Sequence, residues 1–382
     1  MTVDEIRFRD FRNIENETLH FDRGVNILWG DNAQGKTNAL EGIFCFAMGK
    51  SFRGVRDREL IRFGCEQAGM TMHYADGERT HKMQLQLSAA GRRRMLKNDV
   101  TVRSTAQFVG SFRGVLFCPE HLQMIKGAPQ LRRQFLDAAI CQLRPTYMTA
   151  LSEYARLLKH RNAVLRDDAK TEEERLPLLD VLTAQLAQIN TRITVTRHKY
   201  IRLLDASVGT FLSDMTSGEE LASLSYVSDI ADGDSGMDAA EMTETFYRRA
   251  MADTRREFAV QSTLHGCHRD DIAIWLDGRE AKLYASQGQD RSIALAMKLG
   301  EGELSRQASG EYPVFLFDDV LSELDHSRQA YLMQRLHGRQ VIMTSCNREL
   351  FEDMDVHMIR VTRGSYDMCR AASGAICTDP VS

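Results

Sequence analysis

Apolar positions along the chain change period twice. From Val3 to about Gln123 they come in short runs parted by turn residues (IRF, VNILW, KMQLQLS, VLFC), the pattern of strands. After Pro129 they recur every three or four residues: Leu131, Phe135, Leu136 and Ile140, then Leu151, Tyr154, Leu157 and Leu158. A second stripe holds Leu178, Leu179, Leu182, Leu186, Ile189 and Ile193 and continues to Ile201 and Leu204. These stripes predict two or more antiparallel helices packed through apolar faces. Each covers about 30–40 residues, roughly 45–60 Å at 1.5 Å per residue, too short for a long coiled arm. From about Gln261 strand patterns return. DIAIWLDGREAKLY predicts a hairpin turning at Asp277-Gly278. VFLF and QVIMTS are continuous apolar runs of the kind buried in a parallel sheet. The expectation is an α/β domain built from 1–128 and 256–382, with an all-helical domain inserted at 129–255.

The most informative stretch follows the strand pattern at Val25–Trp29. Gly30, Asp31, Asn32, Ala33, Gln34, Gly35, Lys36 and Thr37 form GxxxxGK[ST], and Leu40, Ile43 and Phe44 continue as a helix. Two glycines let backbone N–H groups wrap phosphate oxygens. Lys36 suits the β- and γ-phosphates of ATP, and the Thr37 hydroxyl suits Mg2+. Such a loop predicts a metal-binding carboxylate at the end of a buried strand. Asp318 and Asp319, after Val314–Phe317, supply it: Asp318 toward Mg2+, Asp319 to orient or deprotonate water. A third feature is Ala285-Ser286-Gln287-Gly288-Gln289, a glycine turn opening a helix through Ile293, Leu295 and Leu299. Its free N–H groups make an anion site, yet the turn carries no lysine.

Composition changes the picture little. The chain has 382 residues, is 43% hydrophobic and carries a net charge of -4, so nucleic-acid binding would need a local basic surface. KSFRGVRDRELIR (Lys50, Arg53, Arg56) and GRRRMLK (Arg92, Arg93, Arg94) are two such islands; each fits either a DNA contact or a solvated face. Arg132, Arg133, Lys159 and Arg161 suit partner contact or pairing within the chain. Between Asp214 and Glu244 nine acids occur with no Lys or Arg, and Ser228–Glu241 is expected to be an exposed loop. His265, Cys267, His268, Asp270 and Asp271 read either as metal ligands or as a turn before a hairpin. Arg12 and Asn13 suit a nucleotide contact or a structural turn. The N-terminus lacks the apolar stretch of a signal peptide, no run approaches the roughly 18 apolar residues of a membrane span, and the eight cysteines form no CxxC pair. The expectation is a cytoplasmic protein with no membrane partner.

In their order, these motifs resemble the P-loop ABC-type ATPase heads of the ABC and SMC class. That resemblance implies a mixed-sheet α/β head whose signature residues, Ser286, Gly288 and Gln289, close over a phosphate held by another copy. It also gives Asp325 the place of a loop crossing that interface. More closely, FRNIENETLHFDRGVNILWGDNAQGKTNALEGI, KSFRGVRDRELIRFG, VLFCPEHLQMIKGAPQLRRQFLD, YARLLKHRNAVL, LHGCHRDDIAIWLDG, LYASQGQDRS and FLFDDVLSELD resemble the RecF family of bacterial DNA repair and recombination ATPases. Departures are Cys267 where that family has proline, and Thr344 and Ser345 where transporter heads place a histidine. The stretch after Arg363 matches nothing. The resemblance implies an ATP-bound homodimer that clamps DNA at gaps or single-strand/double-strand junctions, works with the RecO and RecR proteins to load recombinase, and hydrolyses ATP slowly. Alternatives are the ATPase subunit of an ABC-type transporter, disfavoured by the 250 residues between Lys36 and Ser286, and an ATP-switched binding module with negligible turnover. An SMC-like tether lacks the arms it would need.

Overall fold

The computed structural model describes residues 1–77, 79–230, 238–351 and 354–369. Residues 231–237, the middle of the expected acidic loop, lie outside that set, as does the sequence past 369. The chain forms two compact units, 1–119 with 305–382, and 120–304.

The first unit holds two six-stranded sheets. One is antiparallel and includes Thr2–Phe11, Gln67–Asp76 and Arg79–Ser88. In the other, the order is Ser365–Cys369, His357–Thr362, Val25–Trp29, Val341–Ser345, Val314–Asp318 and Gly114–Phe117. All of its pairings are parallel except that of the edge strand Ser365–Cys369, which forms part of the tail left unplaced by sequence. The continuous apolar runs therefore become central strands, because a parallel sheet buried on both faces needs no polar alternation. Helix Lys36–Met48 is buried at eleven of thirteen residues. It packs against both sheets: a Cβ on Gly42 would stand 2.3 Å from Phe8, and Gly114 faces Ala47.

The second unit is mostly helical. Pro145–Leu165 and the 44-residue Glu172–Met215, ~66 Å long, run antiparallel. Contacts fix the register: Arg161 Nε donates to Thr183 at 3.0 Å near one end, and Arg197 Nε to the Tyr147 hydroxyl at 2.9 Å near the other. The long helix starts at a capping box, Thr171 with Glu174, which contributes about 1 kcal/mol. Its single unbroken run is longer than the stripes suggested, because Pro177 sits near the start, where few intrahelical bonds are lost. Fully buried in this unit, Arg161 and Glu257, both 0% exposed, pair at 2.6 Å. Burying such a pair gains little over apolar side chains, but removing one partner strands the other charge.

Two expectations differ from the structure. The stretch 129–255 is not all helix: Ala222–Val227 is a strand pairing with Asp271–Leu276, which turns at Asp277-Gly278 into Arg279–Glu280. Its alternation, ASLSYV, was masked by the acidic stretch around it. That pairing also groups residues 256–304 with the helical unit. Asp238, expected in a loop, caps helix Ala239–Ala252 by accepting from the Glu241 N–H at 2.8 Å. Among the described residues no helix is long and apolar enough to cross a membrane.

Candidate functional site

Strand Val25–Trp29 ends at Gly30, whose φ of 152° leaves no room for a side chain: a Cβ would meet the Val361 carbonyl oxygen at 2.4 Å. Gly35, at φ 118°, caps helix Lys36–Met48, and a Cβ there would lie 2.8 Å from Asn13. Both glycines are required by close approach, Gly30 to the Val361 backbone and Gly35 to the Asn13 side chain. The loop is braced from outside. Asn13 donates to the Gln34 carbonyl at 3.0 Å, the Arg363 N–H to Gln34 Oε1 at 2.6 Å, and the Tyr366 hydroxyl to the Gly35 carbonyl at 2.9 Å. Asn13 is thus a structural buttress. Arg12 is held by Glu41 through two 2.8 Å bonds, which raise its pKa further. Helix Lys36–Met48 has no acidic residue in its own first turn, so its free N–H groups and positive end meet no carboxylate from the helix itself.

At this helix start the expected residues gather. Lys36 Nζ donates to the carbonyls of Gly30 at 2.5 Å and Asp31 at 2.8 Å. The Thr37 hydroxyl donates to Asp318 Oδ1 at 2.7 Å, and the Thr344 hydroxyl donates to the same oxygen at 2.9 Å. Thr344 also accepts from the Asp319 N–H at 2.9 Å, so one hydroxyl spaces both acids. Asp319 takes a left-handed φ of 53°, turning it away from strand geometry. Burial raises its carboxyl pKa, opposed by the nearby Lys36 ammonium and reinforced by Glu323. Neither acid caps a helix. Asp325 does, accepting from the Arg328 N–H at 3.0 Å; its hydrogen bonds with Ser327 and Arg328 pull its pKa down to about 2.

Cys346, which sequence reasoning missed, lies against this group. Lys36 Nζ approaches its sulfur at 3.2 Å, and its thiol donates to Asn32 Oδ1 at 2.9 Å. It stands one residue past strand Val341–Ser345. Ser345 turns aside to donate to the Asn347 carbonyl at 3.0 Å.

The second glycine motif is built differently, and the expected glycine turn is not one: Gly288 lies within the first turn of helix Gln287–Ser309. Ser286 accepts from the Gln289 N–H at 3.3 Å and gives its own N–H to Gln289 Oε1 at 2.8 Å, a capping box at the start of helix Gln287–Ser309. The Ser286 hydroxyl keeps its own proton free to donate. Gln289 Nε2 donates to Glu220 at 2.9 Å. The lysine absent from the local sequence is supplied from elsewhere: Lys126 Nζ donates to the Ala285 carbonyl at 2.5 Å and pairs with Asp290 at 2.8 Å.

The remaining positions sort by partner. Lys50, Arg53, Arg56, Arg92 and Arg94 are exposed. Arg93 is not: it forms a two-pronged ion pair with Asp57 and donates to the Gly49 carbonyl. Arg132 holds Asp271 through bonds of 2.6 and 2.8 Å, and Arg133 donates to the Asp270 carbonyl at 2.7 Å. In the cluster weighed as metal ligands, the side chains turn to partners outside it: His265 to Asp229 and Asp253, Cys267 and His268 to Tyr154, Asp270 to Tyr226, and Asp271 to Arg132. The Cys267 N–H donates to Asn190 at 2.7 Å, a bond that a proline at this position could not make.

A mixed sheet with a phosphate-type loop after one strand, paired acids after another, and a separate glycine-led helix define an ATPase head of the ABC and SMC class. The sequence family described as RecF/RecN/SMC N terminal domain matches residues 2–368. The DNA replication and repair protein RecF of Lactobacillus acidophilus is 37% identical over 354 residues, 91% of this chain and 93% of that protein. RecF of Geobacillus thermodenitrificans is 37% identical over 339 residues, 89% and 91% of the two chains. A solved structure of the recombination mediator protein RecF with ATP, in the RecFOR pathway, superposes with a TM-score of 0.88 at 31% identity, covering 97% of this chain and 98% of the other. An SMC head from Pyrococcus furiosus shares the fold at a TM-score of 0.54 and 14% identity. This chain belongs to the RecF family.

Proposed function

We propose that this chain is an ATP-dependent DNA replication and repair protein that works as a nucleotide-bridged homodimer. Each copy holds ATP and Mg2+ at its own loop, Gly30 to Thr37, and offers Ser286, Gly288 and Gln289 to the terminal phosphate held by the other. The dimer clamps DNA at gaps or single-strand/double-strand junctions in the cytoplasm, and with RecO and RecR promotes recombinase loading. The observation that carries this reading is the gathering of Lys36, Thr37 and Asp318 at one helix N-terminus, with Lys36 on the loop carbonyls and Thr37 on Asp318.

The donor set fits the metal. The Thr37 hydroxyl and Asp318 carboxylate, 2.7 Å apart, are hard oxygen ligands of the kind Mg2+ takes, and its bound charge offsets that of the phosphates. Lys36 would exchange the carbonyls of Gly30 and Asp31 for phosphate oxygens. Asp319, with its pKa raised by burial, is placed to accept the proton of an attacking water. Thr344 keeps Asp318 and Asp319 in separate roles by binding both. Ser286 donates its hydroxyl proton to the partner's phosphate while its lone pair still caps the helix. Hydrolysis is slow, since timing a clamp requires release rather than speed. Lys50, Arg53, Arg56, Arg92 and Arg94 supply DNA phosphate contacts, whereas Arg93 shapes the surface they stand on.

Light scattering with and without ATP tests the reading. Wild type should become dimeric with ATP, and Ser286→Arg should remain monomeric while still binding nucleotide. Equal dimerisation of the two would reject the shared site. DNA affinity should fall steeply and linearly with salt on logarithmic axes, and a flat response would remove the basic islands from the account.

A further inference from the structure

The signature turn carries a charge that should work against it. Asp290 lies in the first turn of helix Gln287–Ser309, is 8% exposed, and has one oxygen, Oδ1, with no hydrogen-bond partner. A carboxylate there satisfies the positive helix end by itself and repels any further anion. Burial raises its pKa, opposed by Lys126. Lys126 comes from a segment 159 residues earlier and makes two contacts: one to the Asp290 carboxylate and one to the Ala285 carbonyl, directly before Ser286.

The position of Lys126 is itself constructed. Its segment is gripped by Arg132, 3% exposed, which donates to the carbonyls of Met124 at 2.8 Å and Gly127 at 2.9 Å. The same guanidinium holds Asp271, at the start of the strand that leads through the hairpin to the signature turn. A buried arginine thus fixes both the segment bearing Lys126 and the chain running toward Ser286. Such a brace sets where the ammonium stands, beyond what a surface ion pair would need.

We propose that Lys126 is a positioning residue of the signature half-site: it neutralises Asp290 and pins Ala285, so that the turn can accept the terminal phosphate of a nucleotide held by a second copy. This rests on the shared-site reading above. Lys126 acts through Asp290, and that makes the idea separable from a plain structural role.

The test is the ATP-dependent dimer dissociation constant, measured by light scattering at fixed salt with ATP and Mg2+. Lys126→Met should weaken dimerisation about tenfold or more, the order expected when a partly buried carboxylate loses its cation beside a polyanion. Lys126→Arg should retain most of it. Adding Asp290→Asn to Lys126→Met should restore dimerisation to within about threefold of wild type, because the charge needing neutralisation is gone. Asp290→Asn alone should dimerise at least as well as wild type, an arm that stands even where Lys126→Met folds poorly. Normal dimerisation of Lys126→Met, a double variant as weak as the single, or a weaker Asp290→Asn dimer each overturns the proposal. Failure of the shared-site reading looks different: wild type then shows no ATP-dependent dimer, or Ser286→Arg dimerises normally.

Discussion

Two helices of this molecule begin with free N–H groups beside a glycine, Gly35 before one and Gly288 in the first turn of the other, and their surroundings differ. The first, at Gly35, has no acid in its first turn, a lysine inside the loop, and a hydroxyl and a carboxylate 2.7 Å apart across its mouth. The second, starting at Gln287, has Asp290 in its first turn, a capping box that already uses Ser286, and a lysine from far along the chain paired with that acid. On the reading proposed above, one is a cage that binds phosphate and metal with its own residues. On the same reading, the other is held near neutrality and adds a last contact to a phosphate carried by a second copy. The same backbone device becomes a primary or an auxiliary site according to the charges placed around it.

The comparison can be broken most severely at the first turn. Lys36→Ala removes charge-assisted bonds that only this site makes and should weaken ATP binding by about a thousandfold in calorimetry. Retention of micromolar affinity would mean that the loop is no nucleotide cage. Asp319→Asn should keep ATP binding yet slow hydrolysis about a hundredfold and prolong the dimer; ordinary turnover would end the assignment of Asp319 as proton acceptor. A subtler probe is Gly35→Ala. At φ 118°, with Asn13 2.8 Å from the added methyl, it should cost about 1–3 kcal/mol in thermal unfolding of the nucleotide-free protein. An unchanged melting temperature would show that the loop is less tightly braced than described. The smallest expected effect separates two neighbours in sequence, Arg92 just before strand Arg93–Lys97 and Arg93 at its start. Arg92→Ala should lower the salt slope of DNA binding by about one, whereas Arg93→Ala, which frees Asp57, should mainly reduce stability.

The first site was largely legible in the sequence because its parts are local. A strand, a glycine loop and a helix follow each other between Val25 and Met48, and the fully apolar Val314–Phe317 delivers Asp318 to the sheet edge although 281 positions separate it from Thr37. What the sequence hid depends on distant pieces meeting. Lys126 is 159 positions from Ala285, Lys36 310 from Cys346, and Tyr366 331 from Gly35; no periodicity links such pairs. Arg92, Arg93 and Arg94 read alike as a basic run, but strand alternation and the presence of Asp57 send one of them inward to an ion pair. The strand Ala222–Val227 was lost for a related reason: six alternating residues beside an acidic stretch become a strand only when Asp271–Leu276 pairs with them.

Whether two copies share one nucleotide is tested most directly by mixing two disabled proteins. Lys36→Ala lacks a working loop but keeps its signature turn; Ser286→Arg has the reverse defect. Neither alone should dimerise or hydrolyse ATP. Mixed in equal amounts, they should form a heterodimer with one intact composite site, seen as ATP-dependent dimer mass and partly restored hydrolysis. A mixture no more active and no more dimeric than its separate components would contradict the shared site.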